Sequence, residues 1–277
     1  MKTLIAISTC HQFEQDGSND AIRETWLAGK LPAGFEYQFF VGRGKGSLKS
    51  DTVGLPCHDD YNSLTWKTIE KLSWGLARGF DHFFCCMADT YARPERLATC
   101  GFENFDVLGS YLRMKYNNTP GLSDGGMTQE FVNGGCGYFL SKRAATAVVS
   151  APKPRGWFTS MLEDGFVTSA TQGLKLGKNH LRFPMWGTGP RRWNDVVTKH
   201  LYFRFYAEHS YEPSLMRDEH QSWVDSVDAS RWNFRRLFTP MKKRDAAPEP
   251  TGRDLNADFR ALQINENDPN LSMNRLR

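Results

Sequence analysis

The chain has 277 residues, of which 40% are hydrophobic, 13% aromatic and 24% charged. These proportions exclude a wholly disordered or collagen-like chain and allow either one α/β domain with a sizeable core or two small domains. A net charge of +4 does not by itself imply nucleic acid, because an enzyme with an anionic substrate carries a similar balance.

Residues 3–7 read as a buried strand. A polar loop over 11–19 follows, then a helix over 20–27 with Asn19 or Asp20 as its cap. Residues 35–42 predict a second strand, and 43–50 a flexible basic loop. A helix over 64–78 is closed by Gly79, and 83–87 form a buried strand with Asp89, Thr90 and Tyr91 just where it stops. Pro94 opens a short helix, residues 107–113 read as one strand, and 117–126 as a long loop. The glycine cluster Gly134-Gly135-Cys136-Gly137 precedes a strand over 138–140, an Ala-rich helix over 142–149 and a linker over 152–156. Glu163 and Asp164 open a helix predicted to run to about Leu176, where Gly177 closes it. Residues 201–205 predict a strand, 218–238 one or two helices, and the chain from Lys242 a weakly ordered tail.

The strand–helix alternation through about residue 110 predicts an α/β sheet. The expected organisation is a core over 1–205 with a C-terminal extension over 206–277. No apolar run is long enough for a transmembrane helix, and the one at Leu4-Ile5-Ala6-Ile7 is too short for a secretory signal. The six cysteines form neither a C-x-x-C pair nor a zinc spacing. Reduced thiols and a soluble, cytoplasmic protein are the expectation.

Chemistry in sheets of this kind collects beyond the carboxyl ends of the strands. Asp89 stands there, either as a ligand for a divalent cation or a ribose hydroxyl, or as a turn residue. The glycine cluster allows a backbone to approach a ligand closely, and a hairpin turn explains it equally well. Glu163 and Asp164 either complement a helix dipole or supply a general base near a sugar or nucleobase hydroxyl. His11, His58, His82, His180, His209 and His220 read as loop or surface residues. His200, flanked by strand-like residues, could reach a metal from the sheet or be a structural histidine.

Taken in order, these segments resemble glycosyltransferase family 31, the β-1,3-galactosyl- and N-acetylglucosaminyltransferases and Fringe enzymes. Ala21-Ile22-Arg23-Glu24-Thr25-Trp26 looks like the family's IRxTW motif. The stretch from Asp60 through Tyr61 and Leu64 to Lys67 and Thr68 is similar to DxYxNLTxKT, with Ser63 where Asn is usual and one residue missing before Tyr61. Phe83 to Tyr91 resembles the strand ending in DDDxF/Y. Gly135, Gly137, Tyr138 and Ser141 match GxGYxxS, and Glu163-Asp164-Gly165 followed by Lys175-Leu176-Gly177 looks like EDVxxG…xKLG.

The resemblance implies a Rossmann-like GT-A domain, a mixed sheet flanked by helices, that uses a nucleotide-sugar, usually UDP-linked and usually with Mn²⁺, and inverts the anomeric centre. It implies Asp164 as catalytic base with Glu163 beside it. Arg23, Lys67, Asp89, Gly135 and Gly137 fall on the donor side, and Asp89 and His200 become the metal ligands. Arg23 and Lys67 could each instead pair with an internal carboxylate. Met87 and Ala88 replace the first two aspartates of DDD, which should weaken metal affinity.

The missing anchor and stem of eukaryotic members point to a bacterial, viral or phage protein, acting in its own or a host's cytoplasm. The acceptor is either a glycan or a hydroxylated nucleobase in DNA. For DNA, the basic loop at 43–49 and the cluster Arg235, Arg236, Lys242, Lys243 and Arg244 would meet phosphates, with Trp232 and Phe234 stacking on a base. A non-catalytic relative that only binds a nucleotide or glycan is the remaining alternative.

Overall fold

A computed structural model describes residues 1–115, 128–152, 163–178, 197–200 and, between 213 and 224, residues 213, 214, 216–218, 220, 221 and 224. The chain divides into two compact units, Met1–Asp228 and Ala229–Arg277. The second, with the basic cluster over 235–244, lies outside the described residues, as do the predicted loop at 117–126 and the predicted strand at 201–205.

The first unit is built on a seven-stranded sheet, α/β as the strand–helix alternation predicts and mixed as the GT-A resemblance implies. Four parallel strands form one half: β1 (Thr3–Ser8), β2 (Phe35–Arg43), β3 (Thr52–His58) and β4 (His82–Met87). The sheet continues through β9 (Tyr138–Ser141), β6 (Val107–Gly109) and β10 (Leu176–Lys178), giving the order β3-β2-β1-β4-β9-β6-β10. β9 runs antiparallel to both its neighbours, whereas β10 is parallel to β6. The amino end of this one reversed strand therefore lies at the same sheet edge as the carboxyl ends of β1 and β4.

Alternation along the strands divides the core between two faces. Ile5, Ile7, Phe84 and Cys86 pack on one side with Ala21, Ile22 and Trp26. Leu4, Ala6, Phe83 and Cys85 pack on the other with Ile69, Leu72, Ala144, Ala145 and Val148. A strand covered on both faces reads as an unbroken apolar run, which is why β1 and β4 are evident in the sequence. The covering helices are α2 (Ser18–Glu24), α3 (Leu64–Leu76) and α5 (Lys142–Ser150). A short α4 (Pro94–Thr99) starts at the proline, as expected.

Several expectations are corrected. The polar stretch after β1 holds a short helix, α1 (His11–Gln15). Residues 107–113 are two strands: Ser110 separates β6 from β7 (Tyr111–Lys115), which forms a hairpin-like pair with β8 (Thr128–Val132). The helix opened by Glu163, α6, stops at Ala170. A turn closed by Leu174 N–H on Thr171 O follows, and Leu176 and Gly177 belong to β10. No helix among the described residues is long and apolar enough to cross a membrane. The five cysteines whose side chains are described, Cys10, Cys57, Cys85, Cys86 and Cys100, are unbridged.

Candidate functional site

The carboxyl edge of the sheet gathers most of the residues that the sequence singles out. Asp89 links β4 to the short strand β5 (Thr90–Ala92) and is 5% exposed. β5 pairs antiparallel with β11 (Val197–His200), and the register places His200 opposite Thr90. The backbone thus brings His200 next to Asp89 along the ladder, although its side chain lies outside the description. A 3-10 turn, Gly134–Cys136, precedes β9 and packs against both β4 and β11.

α6 meets this turn with its first two residues. The Gly134 N–H donates to the Asp164 carboxylate, and the Gly165 N–H donates to Asp164 Oδ1 at 3.0 Å. Val132 N–H donates to Thr168 Oγ1 at 2.9 Å, tying α6 to β8. Asp164 is partly exposed, whereas Glu163 is 6% exposed. Burial and then the neighbouring Glu163 charge push the Asp164 carboxyl up to about 7. Both causes disfavour the ionised form, and the backbone donors only partly offset them.

Glu163 is held from behind. Thr68 Oγ1 of α3 donates to Glu163 Oε1 at 3.0 Å, and the Tyr138 hydroxyl of β9 donates to the same oxygen. Burial and the Glu163 charge push the Tyr138 hydroxyl well above its ordinary range, so it stays a donor. The other oxygen, Oε2, crosses Gly134, where a Cβ would sit 2.5 Å from it. Gly137, at φ +79°, has equally little room, since a Cβ there would lie 2.8 Å from Phe84 Cζ and 3.1 Å from Cys85 O. Gly135 N–H donates to Asn133 Oδ1 at 3.1 Å. The cluster is therefore a close-packed turn against two carboxylates. Gly134→Ala should cost about 1–3 kcal/mol by forcing this pinned carboxylate aside, measurable as a lower denaturant midpoint.

On the β1 side, Lys67 Nζ donates to Thr9 O at 2.5 Å and pairs with Asp59 Oδ1 at 2.9 Å. Asp59 also accepts from the backbone N–H of His11 and of Gly42, both at 2.6 Å, so one carboxylate joins α1, β2 and α3. Burial opposes its charge, but these donors and Lys67 hold it below the ordinary carboxylate range. One turn on, Lys71 is 1% exposed and its Nζ donates to Ser8 Oγ at 2.8 Å. Arg23 does not join this group. It is held by Asp51, Asp20 and Glu14 on the outer side of β2.

Sequence reasoning thus brings Asp89, Lys67, Gly135, Gly137, Glu163, Asp164 and the His200 backbone to one edge. It passes over Gly134, Tyr138, Thr68 and Lys71 as site residues, though Gly134 and Tyr138 sit inside the glycine motif. It also reads His220 as surface, whereas His220 Nδ1 lies 2.9 Å from the hydroxyl of buried Tyr91. The chain around it, through Met216, enters the core beside Ala88 and Tyr91.

Among the described residues no group of three His, Cys, Asp or Glu side chains is placed to hold a metal. Ala88 is buried in the core and Met87 ends β4, so Asp89 is the one carboxylate at the strand end. A single carboxylate does not make a divalent-cation site. The side chain of His200, the other ligand that the resemblance implies, lies outside the described residues.

No family model and no curated protein matches this chain. Among solved structures it is similar to CMP:2-keto-3-deoxy-manno-octonic acid synthetase complexed with CTP, at 12% identity and a TM-score of 0.39. That match covers 64% of this chain and 89% of the other.

Proposed function

We propose that the chain is an inverting glycosyltransferase that moves a sugar from a nucleotide-sugar, UDP-linked in the first instance, to an acceptor hydroxyl. The observation that carries this reading is Asp164: a partly exposed carboxylate at the carboxyl edge of the sheet, with a proton affinity near neutrality. A base poised there takes a proton efficiently at physiological pH. The ordered resemblance to glycosyltransferase family 31 adds the reaction class.

In this reading Asp164 accepts the proton of the acceptor hydroxyl. The hydroxyl oxygen bonds to the anomeric carbon from the face opposite the diphosphate. The bond from that carbon to the diphosphate oxygen breaks, its electron pair leaves with the nucleoside diphosphate, and configuration inverts. Lys67 and Lys71 lie under the turn after β1, with one of the two charges paired by Asp59. Their field favours an anionic donor at this edge.

The test is thermal unfolding with UDP and a panel of UDP-sugars, with and without Mn²⁺, followed by a transfer assay with the donor that binds. At a hundredfold excess over Kd the expected stabilisation is about 2.7 kcal/mol, on the order of 5–10 °C for a chain of this size. Binding with no transfer to glycans or hydroxylated DNA would favour a non-catalytic relative. No shift with any nucleotide would overturn the proposal.

A further inference from the structure

Adjacent acidic residues at a helix start invite the assumption that both touch substrate. Here they face different ways. Asp164 reaches solvent, whereas Glu163 is buried and both hydroxyl donors converge on its Oε1. Its Oε2 lies against Gly134, and the N–H of that same glycine donates to Asp164. Tyr138, Glu163, Gly134 and Asp164 therefore form one connected chain from β9 to the edge. The tyrosine is fixed in turn by the sheet, because its backbone pairs with Cys85 on one side and Gly109 on the other.

We propose that Glu163 and Tyr138 are positioning residues for Asp164. The Tyr138 hydroxyl pins Glu163, and the pinned carboxylate sets both the place of the Gly134 turn and the negative charge that Asp164 faces. The role rests on the reading of Asp164 as the base, and it reassigns Glu163 from a reacting group to one that acts through its neighbour.

Among the described residues, the charges on the elements packed against α6 are few. The elements packed on it bring Lys67, Glu70 and Lys71 from α3, Glu130 from β8, and Lys142 and Arg143 from α5. Among the described residues, Glu163 is the charge that raises the Asp164 carboxyl. A neutral isostere at 163 should therefore change Asp164 more than any substitution among those six.

The experiment is a ¹³C-carboxyl NMR titration of Asp164 in the full chain, for wild type, Glu163→Gln and Tyr138→Phe, with kcat and KM measured on the same preparations. Glu163→Gln keeps an acceptor for both hydroxyls and removes the charge. The Asp164 midpoint should fall by about one pH unit, and the acidic limb of the kcat profile should move down by the same amount while donor KM holds. Tyr138→Phe, which leaves the charge and removes the pin, should lower kcat about tenfold with donor KM unchanged. Thr68→Val, which removes the other donor, serves if Tyr138→Phe fails to fold.

An unmoved Asp164 midpoint in Glu163→Gln overturns the proposal. So does a loss of transfer in Glu163→Gln as deep as that from Asp164→Asn, because Glu163 would then itself react. Lower stability with unchanged kcat in Tyr138→Phe also overturns it, leaving a merely structural tyrosine. The titration needs no turnover, so it judges the positioning role even if wild type transfers no sugar.

Discussion

Asp164→Asn is expected to reduce transfer by about 10²–10⁴-fold, the range that a positioned general base contributes. Donor affinity should stay within about twofold, because the substitution removes a proton acceptor and little volume. Asn keeps an oxygen for the N–H groups of Gly134 and Gly165 that now serve the carboxylate. A transfer assay beside a thermal shift with the same donor separates the two effects. Transfer surviving at more than a tenth of wild type would remove Asp164 from the base role.

The pH dependence follows from the same carboxylate and runs in opposite directions for activity and stability. Burial and Glu163 raise the Asp164 carboxyl from 3.8 to about 7. A base must be ionised, so kcat/KM should climb with an acidic limb centred near 7 and flatten above it. The folded state, however, binds this proton more tightly than the unfolded chain does. The stability that Asp164 contributes is thus fully present below about pH 4 and lost as pH rises through about 7. The gap between 3.8 and about 7 corresponds to at most about 4 kcal/mol. Asp164→Asn should therefore gain stability over wild type at pH 8 and not at pH 4. Denaturant titrations at the two pH values check this, and equal differences at both would show that the carboxyl is not raised in the fold. The protein keeps a carboxylate that costs it stability in the pH range where that carboxylate works.

How much of this is legible in the sequence depends on whether the signal is local. β1 and β4 are evident because strands covered on both faces become unbroken apolar runs. β3 is passed over because Gly54 and Pro56 interrupt it; it is an edge strand, where Pro is tolerated. Residues 174–177 read as the end of a helix because a three-residue strand leaves no period to count, and pairing with β6 settles its state. In the site, the glycine cluster and the acid pair are visible as motifs. The link between them is tertiary. Thr68 meets Glu163 from 95 positions away and Tyr138 from 25, so no window over the sequence contains the contact. The same limit applies to Arg23, whose position in a motif suggests a donor ligand while its partner Asp51 lies 28 residues on.

Arg23→Ala should accordingly act on the fold and leave donor binding intact. The guanidinium makes a two-point contact with Asp51, Nε to Oδ2 and Nη2 to Oδ1, both at 2.8 Å. Nη1 reaches Asp20 Oδ1 at 2.8 Å and Nη2 reaches Glu14 Oε1 at 3.0 Å, while the plane lies over Phe39 at 4.4 Å. Burial works against the charge, yet Asp51, Asp20 and Glu14 together hold its proton more firmly than usual. The same contacts keep Asp51 below the ordinary carboxylate range in spite of its burial. With the arginine gone, Lys49 still reaches Asp20, but Glu14 and Asp51 lose their cation. Breaking a fully buried pair by removing one partner costs about 3–5 kcal/mol and an exposed pair about 0–1 kcal/mol, so this half-buried network should lose about 2–3 kcal/mol. Chemical denaturation should show that loss, and it should shrink toward acidic pH as Asp51 and Asp20 become protonated. Donor affinity, measured on the protein that remains folded, should move less than about twofold, because Asp51, Asp20 and Glu14 already engage Nε, Nη1 and Nη2. A tenfold loss of donor affinity without loss of stability would instead place Arg23 on the donor.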